Sequence, residues 1–469
     1  MLTEEKRAEE KAVSPEVSTE LSERMLSERM SGARRQSDAI FSLVRPGSLY
    51  TSPLYERPIP ERHRIIFYVG HLEAFDWNLL SAVFGLKSAH AEFDHLFAFG
   101  IDPVGGGLPA DVPSDWPSVD IVREYVRNVR SEIDRNLTKI SAGPSPTRDG
   151  FPLRTLLNVA IEHRLMHAET LAYMLHQLPV NMKVTEAGAP ILTGPPVNHH
   201  NVAIPSGRVR LGLDRNSDAF GWDNEYEAHT AEVPGFEIDR YKVTNRQYLD
   251  FIAAGGYETR AFWSGDDWDW KTARGISHPL FWKRAAGGWL WRAMFDEVPL
   301  PLDWPVYVSH AEASAYARWA GKSLPTEAEW QLAAYGATGD DARPYPWGSE
   351  VPEFGYDAES GNREKFGNFD FQRWDPVPVN AFPDGQSAFG VHDMLGNGWE
   401  WTSTVFAPFP GFEPSPFYQG YSADFFDGKH FVMKGGSART AACMLRPTFR
   451  NWFQTHYQYV YAGFRCVRR

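Results

Sequence analysis

The hydrophobic period of the chain changes once, between residues 180 and 200, and the change divides it into two differently built halves. Ahead of it lie long runs of helical period. Residues 65–83, IIFYVGHLEAFDWNLLSAV, are apolar and periodic. Val119, Val122, Val126, Val129 and Ile133 recur at spacings of three and four, which makes one stripe of a helix over 119–137. Ser118 fits its N-cap, with Pro117 just before. The run PLRTLLNVAIEHRLMHAETLAYMLHQ, residues 152–177, is a third long helix, ended by Pro179. With a shorter helix near 34–45, these segments predict a four-helix bundle over residues 34–180. Residues 1–33 are polar, repeat the phrase LSERM, and read as an arm, either a solvated helix or disordered. Gly188, Pro190, Gly194, Pro195 and Pro196 break any helix, so the linker is placed at 181–200. Beyond it the sequence is rich in Gly, Pro and aromatic residues, and 15 of the 17 tryptophans follow residue 200. Short β-like runs such as VRLGL and HFVMKGG, and helices only near 244–254 and 310–321, predict an α+β domain over 201–469 with aromatic-pinned loops.

Composition narrows the partners. A formal charge of −13 over 469 residues disfavours nucleic-acid binding through phosphate neutralisation. The opening MLTEEKRAEEK lacks the apolar stretch of a secretory signal, and no apolar run approaches the ~18 residues of a membrane span. A cytoplasmic protein without membrane contact is expected. Cys443 and Cys466 are the only cysteines, which excludes a disulfide framework and a Cys-rich zinc site. One bridge between them is open, and two reduced thiols are the preferred reading.

Histidine carries the chemistry. His163 and His167 are four residues apart on one helix, so both rings project from one face. Glu169 follows, giving H-x-x-x-H-x-E. Two imidazoles aimed into an apolar bundle interior are costly without a partner. His71, midway along another apolar helix, offers a third ligand, although His63, His90, His95 and His176 are equally available on spacing alone. Three neutral imidazoles suit Zn, Fe, Cu or Ni, and three protein ligands leave open positions, a catalytic arrangement.

The second half carries ordered phrases: YKVTNRQY (241–248), PVYVSHAEA (305–313), LPTEAEW (324–330), PWG (346–348), DMLGNGWEWT (393–402), GGS (435–437), RPTFRNW (446–452) and AGFR (462–465). Together they resemble the formylglycine-generating-enzyme domain, a C-type-lectin-like fold. A DinB-like helical bundle with H…H-x-x-x-H-x-E joined to such a domain resembles the non-heme iron sulfoxide synthases of the ergothioneine and ovothiol pathways. RHRIIFYVGH and H-x-x-x-H-x-E-T are closer to the ovothiol branch. The resemblance implies Fe(II) held by His71, His163 and His167. It also implies O2 as oxidant, and a cysteine-type thiol joined to the imidazole of histidine or hercynine.

Formylglycine generation is disfavoured, because only Cys443 lies near GGS. In the family the R-N-W segment lines the imidazole substrate, which assigns substrate contacts to Arg450, Asn451 and Trp452, the last as a cation–π partner for a trimethylammonium. Trp330, Trp399 and Trp401 read as structural pins. Three departures stand out. Met166 occupies a position where relatives carry a substrate-binding Gln. Phe406 and Phe409 stand where relatives carry tyrosines, one of them a proton donor, leaving Tyr418, Tyr421, Tyr457 and Tyr461 as substitutes. Phe453 and Tyr457 replace the Asp and Arg that hold γ-glutamyl-cysteine, which leaves cysteine or another thiol or selenol donor open. Without a phenol near sulfur, thiol dioxygenation is the alternative activity. A non-catalytic lectin-like binding module is the other.

Overall fold

A computed structural model describes residues 15–47, 51–98, 110–139, 147–184, 191–336, 343–352 and 365–469. The chain forms two compact units, Met1–Ala168 and Glu169–Arg469.

The first unit is built from four long helices, α1 (Pro15–Ser42), α2 (Ile65–Leu80), α4 (Val119–Leu137) and α5 (Leu153–Gln177), with a short α3 (Ala91–Leu96) and a two-residue β1–β2 pairing, Thr147–Arg148 with Phe151–Pro152. The α2 helix is apolar on nearly every side, and 13 of its 16 residues are buried, as expected for a central helix. It packs against α4. The buried stripe of α4 is Val122, Tyr125, Val129, Ile133 and Leu137. Val119 and Val126 of the expected stripe sit at its margin. Ser118 holds the N-cap position, but its side chain makes no capping bond.

The larger difference is α1, which begins at Pro15 instead of near residue 34. Leu26, Met30, Ala33 and Ile40 are all buried, together with Ser37. Their spacings of four, three and seven are helical. The five-residue repeat LSERM masks that period, because its second copy buries Leu26 and Met30 while Met25 of the first is exposed.

The division between units falls inside α5, ahead of the expected linker at 181–200. Segments after Ala168 are bonded into the second unit. His176 Nε2 meets the Arg292 carbonyl at 2.7 Å, and Lys183 Nζ donates to the Met294 carbonyl at 2.5 Å. Leu192 accepts from Trp304 Nε1 at 2.7 Å. Residues 185–190 of that linker lie outside the described residues.

The second unit continues with β3 (Asn201–Ile204), β4 (Gly207–Leu211), β5 (His229–Val233), β6 (Phe236–Asp239), α6 (Asn245–Ala253), α7 (Gly265–Ala273), β7 (Trp282–Ala285), β8 (Gly288–Arg292), β9 (Glu297–Pro299), α8 (His310–Trp319) and α9 (Glu327–Tyr335). It closes with β10 (Trp399–Val405), β11 (His430–Lys434), β12 (Asn451–Gln454), β13 (Ala462–Gly463) and β14 (Val467–Arg468). One sheet runs β12–β11–β10–β13, in which only β10–β13 is parallel. Smaller sheets are β14–β6–β3, β4–β5 and β7–β8–β9. Mixed short strands and short helices around an aromatic core agree with the expected α+β class.

Two helices here were not expected. The α9 helix starts at Thr326, whose hydroxyl and Glu329 form a reciprocal capping box. The α7 helix starts at Ser264, which accepts from Asp267 N–H. Trp330 and Trp401 are fully buried, and Trp401 Nε1 donates to the Val308 carbonyl at 2.8 Å. Cys443 and Cys466 form no disulfide, in line with the preferred reading. No helix among the described residues is long and apolar enough to cross a membrane.

Candidate metal centre

His71 projects from α2, and His163 and His167 from α5, four residues apart on one face. Each is at most 2% exposed, and one ring nitrogen from each lies within 4.8 Å of the others. Ring centroids are 5.2 Å apart for His71–His163, 4.9 Å for His71–His167 and 4.5 Å for His163–His167. Among the described residues this is the only group of three or more His, Cys, Asp or Glu side chains close enough to share an ion.

The orientation of His71 follows from its neighbours. Its Nδ1 lies 2.7 Å from the Phe97 carbonyl. A carbonyl only accepts, so Nδ1 carries the proton and Nε2 keeps its lone pair. A hydrogen bond from the far ring nitrogen is what usually sets the orientation of a metal-ligating histidine. Phe97 comes this close because residue 70 is glycine: a Cβ there would lie 2.5 Å from the Phe97 ring. Phe67 stacks on His71 and Phe75 on His163, with centroids at 4.8 and 3.4 Å.

Protonation is disfavoured throughout. Burial lowers His71 to about 4, against the opposing pull of the Phe97 carbonyl. Burial, then the neighbouring imidazoles, push His163 and His167 well below the usual histidine range. Neutral imidazoles are the form that binds metal. His71 Nε2 and both ring nitrogens of His167 have no hydrogen-bond partner among the described residues. Buried acceptors left open in this way are costly, and a cation satisfies them. The donor set fits a divalent transition metal with open coordination positions.

Tertiary contacts distinguish His71 from the other histidines. His176 is tied to the Tyr461 hydroxyl at 3.0 Å and to the Arg292 carbonyl. His90 Nε2 faces Asn128 at 3.2 Å, and His63 stacks on Phe67. Met166 is half-buried on α5, one residue before His167.

In the second unit, several expected substrate residues converge. Trp452 stacks flat on Phe406, with centroids 4.2 Å apart and planes 5° apart. Tyr421 meets Trp452 edge-on at 5.3 Å, and Tyr418 lies 5.6 Å from Tyr421. Arg450 is buried and pairs with Glu327 at 2.9 Å, donates to the Asn224 and Ala407 carbonyls, and lies over Phe409 at 3.9 Å. Asn451 is half-buried at the start of β12, where its side-chain oxygen accepts from Trp452 N–H. Tyr457 stacks on Phe453 at 4.8 Å, and Tyr461 is buried against His176.

Glu169 has a placement that spacing did not reveal. Its carboxylate accepts from Ser437 Oγ at 2.5 Å, Thr440 Oγ1 at 2.8 Å and Trp399 Nε1 at 2.8 Å. Burial raises its carboxyl above the usual range, against these hydrogen bonds. The GGS phrase therefore serves as a carboxylate cradle here, a pairing of residues 268 apart that no local pattern encodes.

The Sulfatase-modifying factor enzyme 1-like domain family matches residues 193–469, more than half of the chain. A hercynine oxygenase of Mycolicibacterium smegmatis is 36% identical over 317 residues, which cover 66% of this chain and 70% of that protein. The chain belongs to the ergothioneine sulfoxide synthase family. Another family member, the hercynine oxygenase of Mycobacterium tuberculosis, is 40% identical over 260 residues, covering 55% of this chain and 58% of that protein. Ergothioneine biosynthesis protein 1 of Neurospora crassa aligns across both units, at 29% identity over 507 residues, covering 92% of this chain and 56% of its own length.

Proposed function

We propose that the protein is an iron(II)- and O2-dependent sulfoxide synthase that joins a cysteine-type thiol to the imidazole of histidine or hercynine. The observation that carries this reading is the buried, neutral three-histidine cluster, in a chain similar to proteins named hercynine oxygenase. The first unit is read as a DinB-like bundle holding the iron, and the second as the C-type-lectin-like domain holding the imidazole substrate. Iron, when bound, would supply open positions for thiolate and O2 and would relay to O2 the four electrons released by the thiol and the imidazole C–H.

The reaction balances as thiol plus imidazole C–H plus O2, giving the S-linked sulfoxide plus water. One oxygen atom ends on sulfur and the other leaves as water with the S–H and C–H hydrogens. The chain's own part is electrostatic and geometric. Three uncharged ligands leave the full metal charge to attract a thiolate. His71, His163 and His167 exclude water by their burial and stay unprotonated. Trp452 offers its ring to a trimethylammonium, and Asn451 offers an amide to the substrate carboxylate or amine. Arg450 acts on the substrate pocket through Phe406 and Phe409, since its guanidinium is engaged by Glu327. Of the four tyrosines, Tyr421 adjoins Trp452 and is the leading proton donor, with Tyr418 behind it.

Phe406 and Phe409 favour a second reading, thiol dioxygenation on the same centre, with thiol plus O2 giving a sulfinic acid. Oxygen uptake and product mass separate the two. The synthase consumes O2 only when iron, thiol and imidazole are all present and yields a mass equal to both substrates plus one oxygen minus two hydrogens. Uptake without imidazole, with a thiol product heavier by two oxygens, identifies the dioxygenase. No uptake with cysteine-type thiols and any histidine derivative rejects both.

A further inference from the structure

Directly behind the histidine face lies a buried ion network. Arg164 follows His163 in the chain and is completely buried. Its Nη1 donates to Glu73 Oε1 at 3.0 Å and Ser37 Oγ at 3.3 Å, and its Nη2 to Asp76 Oδ2 at 2.5 Å and the Leu72 carbonyl at 3.1 Å. Leu72 follows His71, so the guanidinium joins the residue after one α5 ligand to the residue after the α2 ligand. Arg130 of α4 also grips Glu73, at 2.7 and 2.9 Å, and reaches Asp38 of α1. Arg34 of α1 pairs with Asp134 of α4 at 2.5 Å and lies 4.0 Å from Asp76. All four long helices of the unit meet in this cluster.

Stability alone does not account for it. A buried ion cluster is expensive to desolvate, and apolar residues of the same volume generally stabilise a core as well or better. What apolar packing does not supply is a fixed register, the best-attested use of buried polar groups. Register matters here, because the third ligand comes from a different helix. One residue of slip is 1.5 Å along a helix, whereas metal–ligand distances tolerate only about 0.2 Å.

We propose that Arg164, clasping Glu73, Asp76 and the Leu72 carbonyl, is a positioning residue that fixes α2 against α5 and so sets the spacing of His71 from His163 and His167. This rests on the metal reading above. The test is anaerobic titration of the full chain with Co(II), whose d–d absorption reports coordination geometry, alongside circular dichroism and thermal unfolding of the metal-free protein. The neutralised triple variant Arg164→Met, Glu73→Gln, Asp76→Asn avoids stranding a buried charge. It is expected to stay helical while binding Co(II) about 10- to 100-fold more weakly, with an altered d–d spectrum. In the single-site series, Arg164→Lys is expected to bind more tightly than Arg164→Met. A folded triple variant with wild-type affinity and spectrum overturns the proposal and leaves the metal reading intact. A wild-type chain that binds no metal overturns that reading, and this inference with it. If the triple variant does not fold, Asp76→Asn alone decides: weaker binding supports the clasp and unchanged binding overturns it.

Discussion

At the scale of single residues, the centre depends on one atom that is missing. Gly70 leaves room for the Phe97 ring, and the Phe97 carbonyl then fixes the proton on His71 Nδ1. Gly70→Ala puts a methyl 2.5 Å from that ring, so Phe97 has to move and its carbonyl with it. The expected outcome is metal binding weakened by about 10- to 100-fold, with little loss of helix, since alanine is the better helix former. Unchanged affinity in a Co(II) titration would show that the carbonyl does not orient the ligand. The histidines themselves separate by the same measurement. His163→Ala and His167→Ala are expected to lose stoichiometric metal by elemental analysis. His176→Ala is expected to keep it and lose only stability, roughly 1–3 kcal/mol for stranding buried polar partners, because His176 bonds to Tyr461 and Arg292. Metal loss in His176→Ala would mean that the ligand set is misassigned.

At the scale of elements, α1 tests how far the first unit extends. Met30 is 1% exposed within a segment whose composition reads as an arm. Met30→Ala is expected to destabilise by about 2–5 kcal/mol in denaturant unfolding, the range for deleting a buried Met side chain. A loss below 0.5 kcal/mol would return residues 15–33 to the status of an appendage. The reason α1 was illegible is physical. Its apolar residues are sparse among charges, and their helical spacing shows only once the repeat is set aside. By contrast, α4 and α5 were legible because their stripes repeat over five turns or more, and the i, i+4 histidine pair sits on such a stripe. The α9 start was readable in principle, since T-E-A-E carries its own capping box. The sheet of the second unit was not. The parallel β10–β13 pairing joins Trp399 to Ala462, across 63 positions, and no local period reports it. The choice of His71 among five candidates was likewise tertiary, because only the fold shows which ring lies within reach of His163 and His167.

At the scale of the whole molecule, folding, proton uptake and metal binding are linked. In the metal-free protein, burial holds His71 at about 4, below its ordinary 6.5, and holds His163 and His167 well below that ordinary value. The unfolded chain therefore binds more protons at these sites between pH 6.5 and about 4. The histidine contribution to stability is complete above 6.5 and is lost as the pH falls toward 4. Asp76, Asp375 and Asp393, each raised to about 6 by burial, take up protons in the folded state and offset part of that loss. Metal binding behaves differently. An ion that binds only the folded chain adds about 2.7 kcal/mol at a concentration 100 times its dissociation constant. Protons compete with it only where the folded ligands titrate. Because these ligands stay neutral down to about pH 5, the folded protein's affinity for Co(II) is expected to be nearly constant from pH 8 to pH 5.5. Solvent-exposed histidines would instead lose up to tenfold per ligand for each pH unit below 6.5. Direct titration at pH 8, 7, 6 and 5.5 distinguishes these cases. A fall of 100-fold or more between pH 7 and 5.5 would mean that the three imidazoles are open to solvent in the working protein, and that burial does not keep the centre neutral.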